Sequence, residues 1–194
     1  MKMLLPIFVT CLGIALIALS GCIHYSSAKN ALGDAGPSSS FYSLSAESID
    51  GKTISMSNYK DKYILVVNTA SKCGYTSQYE QLEKLSTQYK DSLFILGFPA
   101  NDFLWQEPAS NEKIKSFCSL KFGVTFPMFA KITIKGKNKH PLYEWLTNPE
   151  LNGWNNEKPG WNFNKYLIDR NGKLIAHFDA KTEPLSEKIT SLLK

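Results

Sequence analysis

The sequence predicts an α/β fold in which a central mixed β-sheet is flanked by helices on both faces. Three observations carry this. The apolar runs "YILVV" (residues 63–67) and "LFILGFPAN" (93–101) read as buried strands, and between them Tyr79, Leu82, Leu85 and Tyr89 recur at helical spacing. Strand, helix and strand in that order form a right-handed βαβ unit with parallel strands. Near the C-terminus, "WNFNKYLID" and "KLIAHF" read as two further strands joined by Arg170, Asn171 and Gly172, and Leu185, Ile189, Leu192 and Leu193 mark one face of a closing amphipathic helix.

The remaining elements fill in between these. From residue 41, "FYSL" and "TISM" flank "DGK" as a hairpin. After the strand at 63–67 the helix is expected over residues 77–90, where Ser77 and Glu80 have the S-x-x-E spacing of a capping box. A second helix starts at Asn111 with Ser110 as its cap and runs through Ile114, Phe117, Cys118 and Leu120. "VTFPMFAKITI" is expected as a strand and "HPLYEWLTN" as a short helix; there is no internal repeat.

The first 21 residues stand apart from this pattern. Lys2 provides a positive start, and residues 4–19 form an uncharged apolar stretch shorter than the ~20 residues a membrane-spanning helix needs, so a cleaved secretory signal is expected. It ends in "LSGC", residues 19–22, which resembles the lipobox of bacterial lipoproteins. That resemblance implies that Cys22 is acylated, becomes the new N-terminus and anchors the protein to a membrane, facing the periplasm. Residues 22–40 then read as the lipidated cysteine and a polar tether rich in Ser, Gly and Ala, and residues 41–194 as one domain. A domain of that size buries about 70% of its unfolded surface and needs no disulfide staples.

The net charge of +5 is spread as single lysines, with one cluster, "KGKNKH" at residues 135–140, expected at a basic hairpin tip. With neither a basic helix nor an aromatic RNA-binding motif, nucleic acid is not expected as a partner. His24, His140 and His177 lack metal-ligand spacing, so neither a metal nor another cofactor is expected.

Of four cysteines, Cys11 leaves with the signal and Cys22 takes the lipid, so only Cys73 and Cys118 remain in the folded body. Cys73, in "NTASKCGYTSQYE", sits between a strand and a helix, where unpaired N–H groups and the helix dipole favour an anion such as a thiolate. Free cysteine is also a common buried hydrophobe, so placement leaves both readings open.

Three other segments decide between them. "FPANDFLWQEP" (98–108), "FCSLKFGVTFPMF" (117–129) and "GWNFNKYLIDRNGK" (160–173), together with "NTASKCGYTSQYEQLEKL", resemble the signature segments of the glutathione peroxidase family, in order over residues 41–193. The resemblance implies a thioredoxin-like fold, peroxide reduction, and a catalytic set of Cys73, Gln106, Trp161 and Asn162. It implies that Cys118 is the resolving cysteine of the thiol-only branch. The short link between Leu146 and Trp161 resembles the monomeric, thioredoxin-dependent branch, so a thioredoxin-like protein is expected as reductant ahead of glutathione. The family often writes "FPCNQFGGQEPG"; here Ala100, Asp102, Leu104, Trp105 and Ala109 depart from it, making the loop before Gln106 bulkier. Hydrogen peroxide and organic or lipid hydroperoxides are the expected substrates, with Leu104 and Trp105 either forming an apolar rim or packing inward.

The chemistry follows from the residue types. A thiolate attacks one peroxide oxygen and the other departs as hydroxide or alkoxide. Amide and indole N–H groups suit the departing charge because they carry no acidic proton. The sulfenic acid left on Cys73 then condenses with a second thiol before further oxidation. The rival enzymes fit less well: Thr76 stands where a disulfide-exchange C-x-x-C would place its second cysteine, and Val66 and Ala70 stand where peroxiredoxins favour proline and threonine. The non-enzymatic alternative is an exported thioredoxin-fold binding module with a structural Cys73–Cys118 disulfide.

Overall fold

The computed structural model describes residues 37–193. The expected signal segment, Cys22 and most of the expected tether lie outside the described residues. The four-stranded sheet runs β4 (Leu93–Pro99), β3 (Tyr63–Thr69), β5 (Lys165–Ile168), β6 (Leu174–Phe178). β3 and β4 are parallel over their full length, with Tyr63 opposite Leu93 and Thr69 opposite Pro99. β5 is antiparallel to both β3 and β6, so the sheet is mixed as expected. β3 and β4 are buried on both faces, which is why they read as continuous apolar runs rather than as alternation.

Each face of the sheet has its own core. On one side Leu82 and Leu85 of α1 (Gln78–Gln88), and Ile114 and Cys118 of α2 (Asn111–Phe122), meet Leu65, Val67, Ile95 and Leu167. On the other, Leu142, Trp145 and Leu146 of α3 (Pro141–Thr147) meet Ile64, Val66, Leu96 and Ile168. The alternation of Leu65 and Val67 against Ile64 and Val66 is the period of two that divides a strand between two layers. Two short helices, α4 (Pro149–Asn152) and α5 (Glu187–Thr190), complete the set, with a hairpin of β1 (Ser45–Glu47) and β2 (Thr53–Ser55).

Several local expectations are corrected. "FYSL" is a 3₁₀ turn over Phe41–Ser43, because the Ser40 hydroxyl accepts the Tyr42 N–H and caps it; the hairpin strand begins at Ser45. "VTFPMFAKITI" forms only isolated bridges, Met128 with Gly97, Ile132 with Ala100 and Phe129 with Ser48, since Pro127 has no N–H for a ladder. The approach at Gly97 is close: a Cβ there would clash with Met128 Sδ. Ser77 makes no side-chain cap and already has helical φ and ψ, so the capping box does not form, and Ser110 likewise caps α2 by position only. The closing helix is a single turn. His140 caps α3 through Nδ1, which accepts the Leu142 N–H at 3.2 Å.

Candidate active site

The topology gathers the sequence-picked residues at one end of the sheet. Cys73 follows the carboxyl end of β3 and Gln106 that of β4, where a crossover fold opens its crevice. β5 runs the other way, so Trp161 and Asn162, which precede it, arrive at the same end, with Lys165 opposite Val67.

Cys73 is 9% exposed and lies in a run of turns, five residues before α1 begins. The first amides of α1 are already used, Gln78 and Tyr79 donating to the carbonyls of Tyr75 and Thr76, so the expected helix-dipole site is replaced by a turn amide. The Tyr75 N–H donates to Cys73 Sγ at 3.4 Å. Thr76 fixes this turn: its hydroxyl accepts the Cys73 N–H at 3.0 Å and lies 2.7 and 2.9 Å from the carbonyls of Cys73 and Ala70, to one of which it donates.

Gln106 is tied to this turn and to Asn162. Its carbonyl accepts the Lys72 N–H at 3.0 Å, and its Oε1 accepts an Asn162 Nδ2 hydrogen at 2.9 Å. That bond directs the Gln106 Nε2 donors away from Asn162, and neither they nor the Trp161 indole N–H has a hydrogen-bond partner among the described residues. Asn162 is fully buried, yet its Oδ1 has no hydrogen-bond partner among the described residues. Trp161 is half-buried, packs against both cores and lies 5.5 Å, ring to ring, from Phe103. Beside it a cavity of about 360 Å³, bounded by Tyr75, Gly160, Asn164, Asp179 and Lys181, opens to solvent.

Sequence reasoning missed the residues that hold this geometry. Asn68, fully buried at the end of β3, donates from Nδ2 to the Trp161 carbonyl at 3.0 Å and accepts the Asn164 N–H at 3.1 Å. Its own carbonyl accepts the Phe163 N–H at 2.6 Å, holding Phe163 at φ 64°. A non-glycine residue keeps that conformation only where its surroundings over-determine it. Glu107, also fully buried, accepts from the Ser71 hydroxyl at 2.8 Å; burial pushes its carboxyl above the usual range, against the Ser71 bond and the lysines 131 and 72. Lys165 donates to Gln78 Oε1 and to the carbonyls of Phe163 and Thr182, and burial lowers its pKa to about 8. A polar residue closing an apolar strand, as in "YILVVNT", is the one signal that pointed to Asn68.

Cys118 sits elsewhere, in the C-terminal half of α2, 1% exposed and a free thiol, as is Cys73. Burial pushes its pKa up to about 11, only partly offset by the nearby Tyr79 hydroxyl. It lines a second cavity, also about 360 Å³, between α2, the β1–β2 hairpin and residues 124–129.

The sequence and the fold are matched by known proteins. The family model for glutathione peroxidase covers residues 41–147, which include Cys73, Gln106 and Cys118. The glutathione peroxidase of Lactococcus lactis is 52% identical over 156 residues, 79% of this chain and 99% of the relative. The hydroperoxy fatty acid reductase gpx1 of Synechocystis is 41% identical over 162 residues, 78% of this chain and 95% of the relative. Among solved structures, that of T. cruzi GPX1 aligns with a TM-score of 0.60 at 34% identity, over 79% of this chain and 94% of that one. A thioredoxin-family thiol:disulfide interchange protein from Chlorobium tepidum aligns at 0.58 over 82% and 98% with 17% identity, a likeness of fold alone. The chain therefore has a thioredoxin-like fold and belongs to the glutathione peroxidase family, as a peroxidase that uses a thiol to reduce hydroperoxides.

Proposed function

We propose that Cys73 is the attacking thiol, Cys118 the resolving one, and a thioredoxin-like dithiol protein the reductant. The observation that supports this best is a nearly buried sulfur facing a backbone N–H, next to a Gln106–Asn162 pair that leaves amide donors unused. The Cys73 thiolate attacks one peroxide oxygen, the O–O bond breaks and an S–O bond forms. The departing oxygen, stabilised by the N–H groups of Gln106 and Trp161, takes up a proton and leaves as water or alcohol. The unpartnered Asn162 Oδ1 accepts the hydrogen of the incoming hydroperoxide. The Cys118 sulfur then bonds to Cys73, the S–O bond breaks, and the hydroxyl departs with the thiol proton as water. An external dithiol reduces the disulfide by exchange.

Hydrogen peroxide and lipid hydroperoxides are the proposed substrates; the printed name of the Synechocystis relative, a hydroperoxy fatty acid reductase, supports the second class. The acylated Cys22 would hold this monomer on a membrane facing the periplasm. One equivalent of peroxide should consume both thiols of the wild type and none in Cys73→Ser. Cys118→Ser should oxidise once, fail to recycle, and reach the sulfinic acid by mass spectrometry under excess peroxide. Normal cycling of Cys118→Ser on a dithiol protein would remove its resolving role, and faster turnover with glutathione than with the dithiol protein would overturn the proposed reductant.

A further inference from the structure

The turn from Phe103 to Gln106, closed by the Gln106 N–H donating to the Phe103 carbonyl, has Leu104 and Trp105 at its centre, both at φ 50°. This is the conformation that glycine adopts without steric cost, and Leu and Trp do not. The two side chains contribute nothing to either core, since they are 72% and 78% exposed. Neither backbone preference nor packing accounts for a large apolar pair here.

The surroundings are positive. Lys135 Nζ lies 4.6 Å from the centre of the Phe103 ring, the exposed Lys72 donates its backbone N–H to the Gln106 carbonyl, and the exposed Lys137 follows on the same turn as Lys135. The acids that flank the turn in sequence are turned inward or engaged: Glu107 is fully buried, and Asp102 Oδ2 accepts the Ile134 N–H at 3.0 Å.

We propose that this turn docks on an anionic lipid surface, with Trp105 and Leu104 entering the boundary between headgroups and acyl chains and Lys72 and Lys135 lying at the level of the phosphates. A tryptophan beside lysines is what such an interface retains, the ring taking the apolar side and the ammonium groups the charged one. Phe103 links the turn to Trp161, so docking turns that side of the crevice towards the lipid. That last consequence rests on the peroxidase roles proposed above; the docking itself does not.

The test places the full chain on phosphatidylcholine vesicles with brominated acyl chains, with or without phosphatidylglycerol, and reads Trp105 emission as wild type minus Trp105→Phe. On the anionic vesicles that emission should move to the blue and fall roughly twofold by bromine quenching, and Lys72→Glu with Lys135→Glu should return it to its value on the neutral ones. Emission on anionic vesicles unchanged from that in solution overturns the proposal, as does equal quenching on both compositions. Burial of Trp105 only on adding a dithiol protein, or only as the chain self-associates, assigns the surface to that occupant and overturns it as well. Hydrogen peroxide consumption by the wild type in solution reports on the peroxidase roles separately.

Discussion

At Leu104 and Trp105 the chain adopts a left-handed turn without the residue suited to it. The cost is about 1–2 kcal/mol per residue, against which glycine would lose about 0.5–1 kcal/mol to its freer unfolded chain. Since both side chains face solvent, replacing them removes no packing. Leu104→Gly with Trp105→Gly should therefore stabilise the protein by about 1–2 kcal/mol and raise its melting temperature by roughly 3–6 °C, measured by calorimetry. A fall in melting temperature would show that the pair packs after all. At this scale the candidate residues were legible as a group, because Cys73, Gln106, Trp161 and Asn162 stand in recognisable segments that the fold brings to one end of the sheet. The residues that position them were not. Asn68 acts on Trp161 across 93 residues, and Ser71 binds Glu107 across 36, so nothing local in the sequence marks either pair.

Among the elements, α2 carries the tension between structure and chemistry. Only Ile114 and Cys118 of its 12 residues are buried. Its hold on the rest of the fold includes two exposed links, Lys115 to Asp50 at 2.6 Å and Thr125, just beyond its end, to Glu83 at 2.6 and 2.7 Å. It ends at Gly123, φ 63°, whose N–H reaches the carbonyls of Cys118 and Ser119. With its pKa at about 11, Cys118 in place is about one part in ten thousand thiolate at pH 7. A resolving role therefore requires the end of α2 to open first. Alkylation of reduced Cys118 should be slow and should titrate near the ordinary thiol value of about 8.5, because the reacting form is the opened one; an inflection near 11 would mean reaction in place. Glu83→Gln should speed the alkylation by weakening the link to Thr125, and an unchanged rate would exclude that link as a latch. Long apolar runs such as β3 and β4 were legible at this scale, since burial on both faces leaves a continuous signal. Residues 124–134 carry a similar signal, yet Pro127 leaves them as bridges beside β4, and only the tertiary contact at Gly97 reveals that.

For the whole molecule, the mixed sheet was readable because each strand carries its own pattern, whereas the point where the domain begins was not. Ser38 donates to the Glu150 carbonyl at 2.6 Å and the Trp145 indole to the Ser39 carbonyl at 3.0 Å, so the last residues of the expected tether lie against the α3–α4 region. The tether proposed after an acylated Cys22 is then shorter than residues 22–40, since Ser38 and Ser39 belong to the domain. Such a leash would keep the Leu104–Trp105 turn at the bilayer and raise its effective concentration there, whereas hydrogen peroxide arrives from solution whatever the anchor does. Comparing the acylated protein with a version beginning at Ala28 should therefore show a loss on phospholipid hydroperoxide in vesicles with little change on hydrogen peroxide. An equal loss on both substrates would mean that the truncation damages the enzyme, and no loss on either would mean that the anchor retains the protein without delivering substrate. In either case the chemistry proposed for Cys73 would be untouched and the coupling of location to substrate would fail.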